Sequence, residues 1–350
     1  MNDSRQSAHA KAQPSAPPPP NAARVLIIQL GPLGAFVQSL AAAKTIRDYH
    51  FGARITLLTT EPFALLAEKC PYFDIVEADG KARDPKALAE LLARLRAAKY
   101  DVVYDLHATP RTNGYFLSLQ PKPPLWSGAA PGCSHPHLNP ARARMHRLDA
   151  LADQLAEAGL ARAVRAGDAP PADLRWVRRA LSDAPRLQPE YFSLRTPYVM
   201  LVPGAPGAAP GKLWPAERYA ELACRIAARG AVPVVIGAVA EREIGGAVAK
   251  AEPLAKNLVC RTDLFQLAAL AERAAFAVGQ DSGPMHIAAA AGAPCLVLFP
   301  QEADAEALVP RGRRGVAILT AERLADLPAE EVDRALRNLG AYETVAAKAS

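Results

Sequence analysis

The loop "VGQDSGPMHIAAAAGAP", residues 278–294, combines the residue types that bind an anion. Pro284 fits the first position of a helix, and Gly292 is suited to end it. The unpaired N–H groups and the positive dipole end of such a first turn attract negative charge. His286 can donate to the same anion, and Asp281 can hold the loop or accept from a hydroxyl. The alternative interpretation is a capped helix with a core histidine.

Two further loops follow predicted strands. The first, "VPGAPGAAPGKLWPAERYAEL", places Lys212 at a helix start, where its charge opposes the helix dipole unless an anion such as diphosphate binds there. The second, "VVIGAVAERE", places Glu241 in a first helical turn, where a carboxylate can accept hydrogen bonds from ribose hydroxyls. Taken singly, Lys212 is better explained as a solvated lysine, and Glu241 equally well as a partner of the helix dipole.

The first loop of the chain has a different character. "IIQLGPLGAFVQSL", residues 27–40, is an apolar strand, a glycine-rich turn and a helix. Such a turn usually places backbone N–H groups around a phosphate or leaves room for a substrate. This one carries no charged side chain.

The elements that must position these loops follow a regular pattern. Short apolar runs alternate with amphipathic stretches from residue 24, the pattern blurs between residues 130 and 190, and it then resumes. This pattern predicts an α/β protein with two facing Rossmann-like domains, parallel sheets and a cleft beyond the carboxyl ends of the strands. We expect a disordered leader (1–22), an N-terminal Rossmann-like domain (23–185), a C-terminal Rossmann-like domain (186–325) and a last helix (326–345) packing back across the junction.

Bulk composition excludes several classes of protein. The 350 residues exceed what one core usually holds. Apolar runs are too short to cross a bilayer, and the leader has no signal-peptide core, so we expect a soluble, cytoplasmic protein. Five scattered cysteines without a C-x-x-C pair indicate neither a disulfide framework nor a zinc ribbon. The charge of +6 suits an acidic substrate or an anionic membrane, but without interleaved aromatic residues it does not predict nucleic-acid binding.

Three segments together resemble glycosyltransferase family 9, the bacterial heptosyltransferases. They are "DSGPMHIAAA" with its preceding "VG", the stretch K-x-W-P-x-E-R-Y-A-E-L, and the closing "PAEEVDRAL". The resemblance runs from about residue 24 to 340, and its most specific part is D-[ST]-G-x-x-H-x-A-A. The N-terminal half is similar in pattern more than in motif.

The resemblance implies a GT-B fold and the transfer of a sugar, typically heptose from ADP-heptose, onto the lipopolysaccharide inner core with inversion at the anomeric carbon. By the same resemblance, Glu241 would contact the donor ribose and Asp281 would organise the donor loop. The donor diphosphate would be contacted by Lys212, Ser282, Gly283 and His286. Positive groups and a helix dipole there would stabilise the leaving diphosphate, so we expect no metal and no other cofactor.

Ala35 occupies a position of special interest. In many family members the first loop reads L-G-D-[VF]-V, and its aspartate is the proposed base that deprotonates the acceptor; here "LGAFV" places Ala35 there, beside Gly34, which is expected at the acceptor site. Loss of a general base slows a reaction by roughly a hundred- to ten-thousand-fold without abolishing binding. Ala35 is then an engineered change, a natural feature of a protein that only binds, or a sign that another side chain supplies the base.

The loop "YDLHATPRTNG" offers candidates for a substitute base, Asp105 and His107. The alternative for Asp105 is a strand-end residue that bonds to the backbone, and for His107 a partly exposed loop histidine. Arg111 and Asn113 suit the binding of an acidic acceptor, or the same loop simply caps the next helix.

The segment "GCSHPHLNPARARMH", residues 132–146, invites a metal interpretation through Cys133, His135, His137 and His146. Their spacing fits a zinc site poorly, so an acceptor-binding loop is the preferred interpretation. Its basic residues would face a phosphorylated acceptor or the anionic inner membrane leaflet, or are solvated helix charges. They are Arg142, Arg144 and, just beyond, Arg147.

The sequence thus predicts an inverting glycosyltransferase with a nucleotide-diphosphate sugar donor and a glycan or glycolipid acceptor, impaired by Ala35 and located in the cytoplasm, with peripheral contact to the inner membrane as an option. One rival is a nucleotide-sugar-binding protein of the same fold. A less favoured alternative is a Rossmann-type oxidoreductase. The absence of a G-x-G-x-x-G motif after any predicted strand argues against it.

Overall fold

The computed structural model describes residues 16–181, 184–195, 197–204 and 213–342. Within these ranges the chain forms two parallel sheets of six strands each, with helices against them. The predicted α/β class with two Rossmann-like units is confirmed.

The sheet of the N-terminal half has the strand order β3-β2-β1-β4-β5-β6. Its strands are β1 (Arg24–Ile28), β2 (Arg54–Leu58), β3 (Ile75–Glu77), β4 (Val102–Asp105), β5 (Leu125–Gly128) and β6 (His135–Pro136). Its helices are α1 (Leu33–Tyr49), α2 (Glu61–Glu68), α3 (Pro85–Ala97), α4 (Pro110–Ser118), α5 (Arg147–Glu157) and α6 (Trp176–Ala180).

The sheet of the C-terminal half consists of the next six strands along the chain. They are β7 (Tyr198–Val202), β8 (Val232–Val235), β9 (Lys256–Asn257), β10 (Phe276–Gln280), β11 (Cys295–Pro300) and β12 (Val316–Ala321). The helices of this half are α7 (Ala216–Ala228), α8 (Arg242–Ala251), α9 (Leu264–Arg273), α10 (Gly283–Ala291), α11 (Ala305–Leu308) and α12 (Ala329–Asn338). The strand order is β12-β11-β10-β7-β8-β9, which repeats the order of the first sheet.

In each sheet the strand order reverses direction once, between β1 and β4 and between β7 and β10. Open parallel sheets bind ligands beyond the carboxyl ends of the strands at this point. The helix that follows β1 packs against the helix that follows β10, so α1 and α10 bring the two reversal points together.

Apolar packing joins the two halves. The central strands are buried along nearly their whole length, as expected of parallel sheets covered on both faces. The largest apolar cluster runs from Val25 and Phe36 of the N-terminal half to Met285 and Ile287 on α10. The loop after β1 and the loop after β10 therefore each lead into a helix that is packed in this cluster.

Polar contacts also cross the junction. Both carboxylate oxygens of the buried Asp149 on α5 accept hydrogen bonds from the guanidinium of Arg311, at 2.7 and 2.8 Å. Nε2 of His146 lies 2.9 Å from the carbonyl oxygen of Val309. The orientation of the two halves in this structure is thus fixed by specific contacts as well as by apolar packing.

Two details of the predicted domain organisation are wrong. The leader was expected to extend to residue 22, but Pro18 accepts a hydrogen bond from the Tyr49 hydroxyl at 2.8 Å, so the chain lies against the domain before that point. The last helix was expected to pack across the junction. The apolar side chains of α12, among them Val332 and Leu336, instead pack on α7 within the C-terminal half. The remaining boundaries stay predictions.

In the described part of the chain, none of the helices is both long and apolar enough to span a membrane.

Candidate active site

A cavity of about 490 Å³ lies where α1 faces α10. We call it the interdomain cavity. Its lining comes from both halves and consists of Pro32, Leu33, Gly34, Ala35, Gln38, Pro203, Gly204, Ala238, Glu241, Asp281, Ser282, Gly283, Pro284 and His286. Most of the residues predicted to bind the donor are therefore brought together in one place.

The start of α10 is built as the sequence indicates. Ser282 is the extended N-cap residue, Pro284 lies in the first turn, and Gly292 ends the helix in the left-handed conformation with a φ of 103°. No acidic residue lies in the first turn itself, and the nearest carboxylate along the chain before it is that of Asp281, directly before the N-cap. The Ser282 hydroxyl has no hydrogen-bond partner in the described chain, although it is buried. This end of the cavity is therefore suited to an anion.

Two side chains flank that helix start. The His286 side chain is 8% exposed, and its Nε2 lies 3.5 Å from Oδ1 of Asp281. The two atoms do not form a hydrogen bond. Oδ1 of Asp281 is buried and has no hydrogen-bond partner among the described residues. Both groups thus remain able to bind a ligand: the imidazole can donate to an anion, and the carboxylate can accept from a hydroxyl.

Glu241 contributes to the lining from the loop after β8. Its Oε2 accepts a hydrogen bond from the backbone N–H of Ala238 at 2.6 Å, and the residue is largely buried. A Cβ on Gly237 would lie 2.6 Å from Cβ of Glu241, so glycine permits this close packing. The carboxylate is fixed by one oxygen, which leaves the other available to a ribose hydroxyl.

Glycines let the two helix starts approach each other. A Cβ on Gly34 would lie 2.7 Å from Cδ2 of His286, and a Cβ on Gly283 would lie 2.7 Å from Cβ of Leu33. Gly34, which the sequence predicts at the acceptor site, thus lies against His286 of the C-terminal half. Any larger residue at these positions would push α1 and α10 apart.

Ala35 lines the cavity on the side of α1 and is partly exposed to it. Its carbonyl oxygen accepts a hydrogen bond from Nε2 of Gln29 at 3.2 Å, and Oε1 of Gln29 accepts from the N–H of Gly31 at 2.8 Å. The buried side chain of Gln29 therefore stabilises the turn after β1 through these two hydrogen bonds. The carboxylates in the described lining, Glu241 and Asp281, both come from the C-terminal half.

Gln38 is a lining residue that the sequence analysis missed. It lies one turn after Ala35 on the same face of α1, and its Oε1 is buried with no partner in the described chain. The spacing of three residues from Ala35 was the signal that could have identified it.

Asp105 does not reach the interdomain cavity. It is fully buried, and its Oδ1 accepts hydrogen bonds from the N–H groups of His107 and Ala108 at 3.1 and 2.8 Å. These bonds hold the turn after β4, in which Ala108 has a φ of 51°. Burial raises the pKa of Asp105 to about 6, although Arg147 acts in the opposite direction. These hydrogen bonds agree with the alternative interpretation, a strand-end residue bonded to backbone, while Oδ2 of Asp105 is buried without a partner among the described residues.

His107 lies in a second cavity, of about 340 Å³, which we call the basic cavity. Its lining includes Arg142 and Arg147 from the loop and helix that follow β6. Burial lowers the pKa of His107 to about 4, and the positive charges of Arg147, Lys81 and Arg111 act in the same direction. The ring is therefore neutral at pH 7 in a positive environment, which suits an acidic ligand.

The remaining acceptor candidates lie elsewhere. Arg111 and Asn113 are on α4 and line neither cavity. The Arg111 guanidinium is exposed and donates to the carbonyl oxygen of Ala82 at 3.0 Å. Oδ1 of Asn113 is buried without a partner among the described residues. Arg144 also lies outside the basic cavity, and Lys212 lies outside the described residues.

The histidines of the segment 132–146 bind to separate partners. Nε2 of His135 lies 2.9 Å from the carbonyl oxygen of Ala16, and Nε2 of His137 lies 2.9 Å from Oδ2 of Asp153. Within the residues that the structure describes, no group of three or more histidine, cysteine, aspartate or glutamate side chains could hold a metal ion.

Comparison with known proteins identifies the family. The model of glycosyltransferase family 9 (heptosyltransferase) matches residues 88–326, which is more than half of the chain. The chain belongs to this family. It is 30% identical over 166 residues to lipopolysaccharide heptosyltransferase 2 of Salmonella typhimurium, a match that covers 45% of this chain and 47% of the relative. The enzyme of the same name from Escherichia coli is 30% identical over 159 residues, covering 43% and 45%. The chain thus spans about half the length of the curated relatives it matches.

Solved structures of family members share the fold. The family 9 glycosyltransferase of Veillonella parvula matches with a TM-score of 0.73 at 19% identity, covering 93% of this chain and 99% of that one. ADP-heptose lipopolysaccharide heptosyltransferase II of E. coli matches with a TM-score of 0.69 at 20% identity, covering 90% and 98%. E. coli heptosyltransferase WaaC, solved with ADP, also gives 0.69 at 19% identity, covering 90% and 99%. The GT-B fold of two Rossmann-like units predicted from the sequence is therefore confirmed.

Proposed function

We propose that this protein binds a nucleotide-diphosphate sugar in the interdomain cavity and belongs to the pathway that builds a lipopolysaccharide core, as an inverting glycosyltransferase with an impaired catalytic site. One observation carries the proposal: Ser282 and His286 at the start of α10 line a single cavity together with Glu241, and this cavity faces α1. Its relatives are named heptosyltransferases, and WaaC has been solved with ADP and with ADP-2-deoxy-2-fluoro heptose. ADP-heptose is therefore the first donor to test.

The donor diphosphate fits the start of α10. The backbone N–H of Gly283, the Ser282 hydroxyl and the His286 imidazole can all donate to its oxygens. Lys212, which the resemblance assigns to the same group, belongs to the proposal on sequence grounds alone. At the other end of the nucleotide, Glu241 can accept from the ribose hydroxyls.

Transfer with inversion requires an acceptor hydroxyl oxygen to attack the anomeric carbon as the bond from that carbon to the diphosphate oxygen breaks. Negative charge then develops on the departing diphosphate, beside the helix dipole and His286. These groups stabilise the charge without a metal. The proton of the acceptor hydroxyl must leave as well, and Ala35 cannot accept it.

The basic cavity is the proposed acceptor site. Its arginines and neutral histidine suit the carboxylates or phosphates of an acidic glycan or glycolipid. The cavity adjoins the loop after β1, because Nδ1 of His107 lies 3.6 Å from the place of a Cβ on Gly31. Arg142 and Arg144 also suit an anionic membrane leaflet, from which a glycolipid acceptor would be presented.

A second function is favoured by Ala35. A protein that binds a nucleotide sugar without transferring it needs the donor groups of α10 and β8 but no base on α1, and this is the arrangement of the described lining. The two functions share the donor site and differ only in turnover.

Titration calorimetry with ADP-heptose, ADP and NAD tests the shared part of the proposal. We expect ADP-heptose and ADP to bind with one-to-one stoichiometry and NAD to give no heat of binding. If neither ADP-heptose nor ADP binds, the proposal is overturned. If NAD alone binds, the oxidoreductase hypothesis is supported instead. Adding a lipopolysaccharide-core acceptor and measuring the release of ADP then separates transferase from binder.

A further inference from the structure

Gln38 is a buried amide whose surroundings leave it incompletely bonded. The residue is 9% exposed, it lines the interdomain cavity, and no atom of the described chain bonds to its buried Oε1. An unpaired buried acceptor destabilises a fold, and native proteins rarely keep one without a reason. Because the side chain lines the cavity, rotation of its amide would let a ligand group there supply the missing partner.

The position of Gln38 indicates which part of the ligand it meets. The proposed sites for the ribose and the diphosphate, at Glu241 and at Ser282, both belong to the C-terminal half. Leu33 and Gly34 of α1 lie against Gly283 and His286, so a sugar attached to a diphosphate at the start of α10 lies beside the lining that α1 provides. Ala35 contributes only a methyl group there, and Gln38, one helical turn further on, contributes the polar group.

We infer that Gln38 hydrogen-bonds a hydroxyl group of the sugar carried by the nucleotide and so contributes to the selection of the donor; this rests on the proposed function. An amide can donate and accept at the same time, which matches a sugar hydroxyl. It does not accept a proton at neutral pH, so Gln38 binds substrate and does not replace the missing base.

Gln38→Met tests the inference, because methionine has a similar length and no hydrogen-bonding amide. We expect the affinity for ADP to stay within twofold of the wild type, while the affinity for ADP-heptose falls about three- to tenfold, the loss typical of one neutral hydrogen bond. Calorimetry on the full chain gives both constants. Lys44→Met is the matched control, since Lys44 lies on α1 with a side chain that is 55% exposed and does not line the cavity.

Thermal unfolding without ligand distinguishes ligand binding from a structural role. Removal of an unpaired buried acceptor should leave the Tm of Gln38→Met equal to or above that of the wild type. A clearly lower Tm, an unchanged affinity for ADP-heptose, or an equal loss for ADP and ADP-heptose would each overturn the inference. If the wild type binds ADP but gains nothing from the sugar, the inference fails and the nucleotide site stands. If the wild type binds neither ADP nor ADP-heptose, the proposed function fails, and the inference that rests on it fails as well.

Discussion

The loops at the two reversal points have the same construction but different chemistry. Each follows a buried central strand and starts a helix next to a proline, Pro32 at α1 and Pro284 at α10. The loop after β10 brings Asp281, Ser282 and His286 to the cavity. The loop after β1 brings glycine, proline, leucine and alanine.

The difference agrees with the proposal that the diphosphate of the donor binds at the start of α10. On the side of α10, Oδ1 of Asp281 and the Ser282 hydroxyl are buried without partners in the described chain, which suits a polar ligand; on α1 the same holds for Oε1 of Gln38. On the side of α1, the turn is satisfied internally by Gln29. Under the proposed function, alanine at position 35 leaves this side of the cavity without a carboxylate and leaves the donor-binding groups of the C-terminal half in place.

The strongest test of this division uses His286 and His107, one from each half. His286→Ala should weaken the binding of ADP about 10- to 100-fold, the usual value of a hydrogen bond to a charged group. His107→Ala, the matched control in the basic cavity, should leave the affinity for ADP unchanged. Calorimetric titration of both variants decides the matter. Equal losses in the two variants would contradict the assignment of the donor to the C-terminal half.

A smaller effect is expected at Glu241. Glu241→Ala should lower the affinity for ADP about tenfold, because the ribose loses a charged acceptor. The wild type should also prefer ADP over 2′-deoxy-ADP, and this preference should shrink in the variant if Glu241 contacts the 2′-hydroxyl. If the variant binds ADP and its deoxy analogue with the same ratio as the wild type does, Glu241 serves the loop after β8 alone.

The smallest effect on function is expected at Asp105. Asp105→Asn should change donor binding and turnover by less than about twofold, whereas replacement of a true general base costs roughly a hundredfold or more. The substitution is instead expected to change the free energy of unfolding. Because burial raises the pKa of Asp105 to about 6, the folded state holds a proton that the unfolded state releases, so this group's contribution to stability falls as the pH rises from about 4 to 6.

Urea unfolding of the wild type and Asp105→Asn at pH 4 and pH 8 measures this contribution. The asparagine variant keeps the carbonyl oxygen for the N–H groups of His107 and Ala108, and it should be relatively more stable at the higher pH. A variant that is relatively less stable at pH 8 than at pH 4 would show that the ionised carboxylate supports the fold.

Much of this architecture could be predicted from the sequence. Alternation of apolar runs and amphipathic helices specified both sheets, and the positions of Pro284 and Gly292 specified the limits of α10. These features are local: each depends on a few neighbouring residues and on backbone preferences.

The errors concern tertiary contacts that local patterns do not encode. A strand-end carboxylate such as Asp105 can point to the cleft or back to its own turn, and the alternation of the strand does not decide between them. The amphipathic pattern of α12 showed that it must pack on something but not that α7 is its partner. Gln38 looked like one polar residue in an apolar helix until the approach of α10 placed it in a cavity wall.

The release of ADP from ADP-heptose with a lipopolysaccharide-core acceptor, measured for the wild type and for Ala35→Asp, tests the central claim most directly. The variant returns a carboxylate to the side of the cavity where the described lining has none. We predict that both proteins bind ADP-heptose and that turnover by Ala35→Asp exceeds that of the wild type by roughly a hundredfold or more, the usual contribution of a general base. Equal turnover by the two proteins would contradict the claim, because the proton would then leave by a route that does not involve position 35.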